Sequence, residues 1–155
     1  MQIHSLSLDV FDEDYSLIGI HTTLEDYKLA YLLNKKLGIK LCKCKDDLKF
    51  EETSKKASFS IFDYLDKEYD YEWFLIANSA KIETQTKSNE LLLTSELKTY
   101  LISEKKKVDF FIKISGTFND NFTDKIIAKI KEINTIITSY SIDKNSLKSK
   151  DFLTF

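Results

Sequence analysis

The chain has 155 residues, a length that suits one domain with a single buried core. Its 43% hydrophobic and 31% charged residues exclude a disordered chain, and nowhere do about eighteen apolar residues run together, as a membrane-spanning helix requires. Net charge is −2 and all 23 cationic residues are lysine, which excludes both an overall basic field for nucleic acid and the arginine fork that reads guanine or phosphate.

The first fourteen residues, MQIHSLSLDVFDED, carry neither the basic start nor the long apolar run of a secretory signal, so the expected compartment is the cytoplasm. Alternation of His4, Leu6, Leu8 and Val10, and then of Ile18 and Ile20, predicts a hairpin over residues 2–21. Its turn is acidic, Phe11 to Tyr15. Thr22-Thr23-Leu24-Glu25 reads as a capping box that opens a helix. Ala30, Leu33 and Leu37 form the centre of that helix's apolar stripe, widened by Tyr27 and Leu29, and Gly38 ends it. Leu41 to Cys44 follows as a short strand.

Two aromatic strands come next. Phe59, Ile61 and Leu65 alternate with Phe62 and Tyr64, then Tyr71, Trp73 and Leu75 with Phe74 and Ile76, around a polar turn at 66–70. Residues 80–96 are polar apart from Leu91 to Leu93 and read as a long mobile loop.

Residues 97–115, LKTYLISEKKKVDFFIKIS, predict a second hairpin around a lysine-rich turn. Period-2 alternation places Leu97, Thr99, Leu101, Val108, Phe110, Ile112 and Ile114 on a core face. Lys98, Tyr100, Ile102, Glu104, Lys107, Asp109, Phe111 and Lys113 fall on the reverse face, a charged rim around three apolar side chains. Either the tail at 143–155, ending in Phe152-Leu153 and Phe155, folds over that face or a partner does. Tyr100, Ile102, Glu104, Lys107, Asp109 and Phe111 are therefore the candidate binding face. Beyond the hairpin, Thr123 is the expected N-cap of a second helix, with Phe122 and Ile127 as its staple and Ile126, Ile130 and Ile133 as its buried stripe. Ile136 to Ile142 reads as a last strand. The expected architecture is α+β: one domain with a mixed, mainly antiparallel sheet and two helices on one face, strand–helix–strand units favouring parallel neighbours.

The segment Ile102-Ser103-Glu104-Lys105-Lys106-Lys107-Val108-Asp109-Phe110 resembles the signature of the IPExxxVDY family, small proteins of the Bacteroidota named for that motif. Ile102, Glu104, Val108 and Asp109 match it; Ser103 stands where the family has proline and Phe110 where it has tyrosine. Phe11 to Leu37 is also similar to the family's opening block. The resemblance implies no particular activity.

Catalytic signatures are sparse. Three glycines, Gly19, Gly38 and Gly116, leave no P-loop or dinucleotide fingerprint. Cys42 and Cys44 share a strand face and lack the further pair a zinc site needs, so they read as small core residues. His4 and His21 would complete four ligands only by meeting in the first hairpin. Asp9, Asp12, Glu13 and Asp14 lack EF-hand spacing and read as a solvated turn. Glu104 and Asp109 are the best carboxylate pair, expected in surface ion pairs with Lys107 and Lys113. No cofactor or metal is expected. The leading expectation is a non-enzymatic cytoplasmic protein that binds another protein. Alternatives are an RNA-associated factor using the Lys105–Lys107 turn with Tyr100 and Phe111, and an enzyme with an unrecognised site.

Overall fold

The computed structural model describes residues 14–52, 55–81, 98–116, 118–119 and 121–153. The described elements are, in chain order, β1 (Tyr15–Thr22), α1 (Asp26–Leu37), β2 (Cys42–Lys43), β3 (Leu48–Glu52), β4 (Lys55–Phe59), β5 (Ile61–Asp66), β6 (Tyr71–Ala77), β7 (Ser79–Lys81), β8 (Lys98–Tyr100), β9 (Phe110–Ser115), α2 (Phe122–Lys131) and β10 (Ile136–Ile142). Six strands form an antiparallel sheet in the order β10-β1-β9-β6-β5-β2, and both helices pack on one face of it. The fold is α+β, as its residue patterns predict. The expected first strand, residues 3–10, lies outside the described residues, as do 82–96 of the expected loop; Ala80 and Lys81, at its start, belong to β7.

Cross-strand rows explain why these segments pair. On the helix face Ile18 opposes Ile112, which opposes Leu75, and Trp73 opposes Ile114. Leu29, Ala30 and Leu33 from α1 and Ile126, Ile127 and Ile130 from α2 close over these rows. On the other face Leu17, Lys113 and Phe74 form one row, and Gly19, Phe111 and Ile76 the next. β9 and β10 both run antiparallel to β1, so they are parallel to each other with β1 between them. The strand–helix–strand unit β9-α2-β10 is therefore split by β1, and no two neighbouring strands among those described are parallel.

Gly38 ends α1 at φ +68°, its N–H donating to Asn34 O at 2.9 Å. An L side chain resists that left-handed conformation, so glycine suits the stop. The helix start departs from expectation. Thr22 remains in β1: its N–H donates to Asp109 Oδ2 and its hydroxyl to Thr135 O, both at 2.9 Å. These long-range bonds keep Thr22 in the strand, and the helix opens at Asp26 with Glu25 in the cap position. Tyr27, expected in the apolar stripe, is exposed. Likewise α2 begins at Phe122, before the expected cap Thr123, whose hydroxyl is 2.9 Å from that of Ser16. Tertiary partners prevail over the local caps at both helices.

Leu97 lies outside the described residues, and residues 98–115 do not form a hairpin. β8 pairs with β7, β9 pairs with β1 and β6, and a 3-10 turn at Ser103–Lys105 lies between them. The alternation consequently breaks before β9. Phe110, Ile112 and Ile114 face the helices, whereas Leu101, Ile102, Val108 and Phe111 share the second core. That core is closed by the β3–β4 hairpin, which sequence periodicity missed, and by the C-terminal segment through Leu147 and Leu153. The tail thus covers the reverse face. Phe152 packs edge-on against Phe50 at 5.0 Å, and the wholly buried Lys113 donates to Leu153 O at 2.8 Å.

Candidate binding cleft

The signature segment is folded around one residue outside it. Asn78 follows β6 and is completely buried. Its Nδ2 donates to Lys105 O at 2.8 Å and Val108 O at 2.9 Å, and its Oδ1 accepts from Ile102 N at 2.8 Å. Its own backbone N–H donates to Asp109 O, and its carbonyl accepts from Leu101 N. Residues 101–109 therefore wrap around a saturated amide, which a tight hairpin turn could not do.

That wrapping separates the six residues expected to share an exposed face. Ile102 and Phe111 are 0% exposed and belong to the second core, which is a correction to the expected binding face. Tyr100 is half-buried with Lys106 Nζ 5.8 Å above its ring. Lys107 is exposed in the turn. Glu104 accepts from Ser149 N at 2.8 Å and from Ser149 Oγ at 2.9 Å, docking the tail. Burial pushes the Glu104 carboxyl up, but these hydrogen bonds outweigh it and hold the group below its ordinary value. Glu104 and Asp109 are thus taken up by Ser149 and Thr22. Lys113, expected in an exposed ion pair, is buried beneath the tail instead.

Of the six, Asp109 lines an open cleft. The cleft, of about 450 Å³, lies where β1 gives way to α1, where β6 ends and where β9 begins. Its walls carry three carboxylates, Glu25, Asp26 and Asp109, and three hydroxyls, Thr22, Ser60 and Ser79, over an apolar floor that includes Ala77 and Phe110. At the rim, Ser60 Oγ donates to Asp26 Oδ2 at 2.5 Å, while Lys43 Nζ donates to Ser60 Oγ at 2.6 Å and to Asp47 Oδ1 at 2.8 Å. A hydroxyl held between an ammonium and a carboxylate acts as a bridge, with its proton already placed on the side of Asp26. Tyr27 is 57% and Tyr31 65% exposed on the outer side of α1. The Glu25 carboxylate, by its hydrogen bond and its charge, raises the Tyr27 phenol above its ordinary value.

The remaining candidates are scattered. Cys42 is exposed rather than packed in the core, and Cys44 is half-buried. Burial and the nearby Asp63 push the Cys44 thiol up to about 11. His21 Nε2 is 2.9 Å from the Tyr140 hydroxyl, while His4 lies outside the described residues. Of the acidic residues Asp9, Asp12, Glu13 and Asp14 only the last is described, 3.6 Å from Lys144 Nζ. Among the described residues no group of three His, Cys, Asp or Glu side chains could hold a metal ion, and no described helix is long and apolar enough to cross a membrane.

Sequence reasoning passed over Asn78, which shapes the signature segment, and the cleft residues Glu25 and Asp26, whose local pattern carried no binding signal. No known protein-family model matches the chain, and no curated protein matches it.

Proposed function

We propose that the chain is a non-catalytic cytoplasmic binding protein that takes a lysine or arginine side chain of a protein partner into the cleft beside Asp109. The observation that carries this reading is that Glu25, Asp26 and Asp109 line one open cleft, with the exposed Tyr27 directly after Asp26 in α1. Carboxylates attract a cationic side chain, and tyrosine faces add cation–π attraction and large contact area. The same negative charge disfavours a phosphate backbone. Burial of Phe111 also removes one of the two rings the RNA reading needs. Membership of the IPExxxVDY family remains part of this proposal. It rests on the four residues that match the signature, each of which has a definite place in this fold. Ile102 and Val108 fill the second core, Glu104 docks the tail, and Asp109 joins the end of β1 to the cleft.

The test uses a fluorescent lysine-rich peptide and a matched peptide with glutamate at the same positions. Binding of the first alone, weakened by salt and lost in Glu25→Gln/Tyr27→Ala, is the expected result. Both substitutions replace side chains on the accessible surface of the cleft and helix, so the melting temperature should not move. Equal binding by the variant and the parent protein overturns the cleft as the contact. Capture from a cell extract with and without nuclease is the companion experiment, and partners that vanish on nuclease treatment favour the RNA reading.

A further inference from the structure

The two edges of the sheet are built differently. β2 is two residues long and lies among Lys40, Lys43, Lys45, Asp46 and Asp47, the short and charged form by which edge strands resist pairing. β10 is seven residues long, and its sequence IITSYSI contains neither a charge nor a proline. Among the described strands it pairs with β1 alone, so the peptide groups on its outer side face no described strand. Register on the inner side slips by one residue. Thr22 opposes Ile136 and His21 opposes Thr138, which leaves Ile137 between them, 70% exposed. Past the slip the ladder is regular from Thr138 to Ile142, and Tyr140 is 37% exposed.

We propose that β10 pairs antiparallel with β10 of a second copy of this chain, about a two-fold axis at Tyr140, to give one continuous sheet. The sequence of the strand identifies the occupant. In this register Thr138 of one copy opposes Ile142 of the other, Ser139 opposes Ser141, and Tyr140 opposes Tyr140. Asp143 and Lys144 lie past the strand, in the turn that follows it, so no charge enters the ladder. Parallel, in-register pairing would instead bring the two Asp143-Lys144 turns side by side, like charge against like, a destabilising arrangement. A charged peptide finds no complementary charge along this strand. An identical strand offers β-branched and aromatic neighbours and the self-complementarity that a two-fold interface requires. The contact is separate from the acidic cleft and stands whether or not that cleft binds a partner.

Sedimentation velocity over a concentration series tests it. The expected species has twice the 18.1 kDa chain mass and dissociates on dilution. Ile137→Lys and Ser141→Lys, each at an exposed position, should restore the single-chain mass at the same concentration with unchanged circular dichroism and melting temperature. The axis is tested separately in a Cys42→Ala/Cys44→Ala background. There Tyr140→Cys should form an intermolecular disulfide on oxidation, whereas Lys28→Cys on the outer side of α1 should not. A single-chain mass at every concentration overturns the proposal, as does a double-mass species that survives both lysine substitutions. Cross-linking that is no faster at Tyr140→Cys than at Lys28→Cys overturns the axis.

Discussion

Asn78 shows how much one side chain can decide. A buried polar group is tolerated only when it is hydrogen-bonded, and Asn78 turns that requirement into a template for residues 101–109. Replacing it with alanine leaves the Ile102 N–H and the Lys105 and Val108 carbonyls without their partner in a water-poor site. Each orphaned group costs about 1–3 kcal/mol, so Asn78→Ala should lower unfolding free energy by about 3 kcal/mol or more in a urea titration. A loss below about 1 kcal/mol would mean that the loop is held by its apolar residues alone. None of this was legible in the sequence. Asparagine between two strands reads as a turn residue, and its side-chain partners are 24 to 30 positions away. Lys113 misleads in the same way, since a lysine among isoleucines and phenylalanines in a strand is ordinarily the solvent-facing member. Trp73 poses the opposite case: its pattern places it in the core, where it is, yet its indole N–H has no hydrogen-bond partner among the described residues.

Among the elements, those with a clean internal period were legible and those set by remote partners were not. The β5–β6 hairpin, the buried stripes of both helices and β10 follow from residues a few positions apart. The caps moved because Thr22 and Thr123 found partners in other elements, and the reverse face was misassigned because its period belongs to a hairpin that does not form. The candidate site was less legible still, since its carboxylates come from a helix start and a strand start that only the fold brings together. The contact between the signature turn and the tail gives a test at this scale. Glu104 has a lowered folded-state value, so its contribution to docking is complete above the ordinary glutamate range and is lost as pH falls through that lowered value. The amide resonance of Ser149, which donates to Glu104 Oε1, should titrate with a midpoint below about 4.3, the unperturbed glutamate value. Glu104→Gln should remove the step. A midpoint at or above the ordinary value would show that this bond does not form in solution.

For the molecule as a whole, the second core depends on its last cover. Truncation after Lys150 removes Leu153 and with it both a wholly buried side chain and the carbonyl that receives Lys113. A hydrogen bond to a charged group contributes about 1.5–3 kcal/mol, the lost burial of Leu153 adds to that, and the melting temperature should fall accordingly. In the truncated chain Lys113→Met should recover part of the loss, because it removes a buried charge that has lost this acceptor. An unchanged melting temperature after truncation would refute the covering role. The placement of β1 has a further consequence, for how the chain folds. Ile18 opposes Ile112 on one side and Ser141 on the other, so this internal strand closes its ladders only across long loops, which slows folding. During synthesis β1 must wait with both edges open until β9 and then β10 have left the ribosome, while the β5–β6 hairpin can already have formed. A ribosome stalled before residue 136 would therefore carry a chain in which β1 still lacks its β10 partner, a natural substrate for chaperones and a point at which aggregation competes with folding.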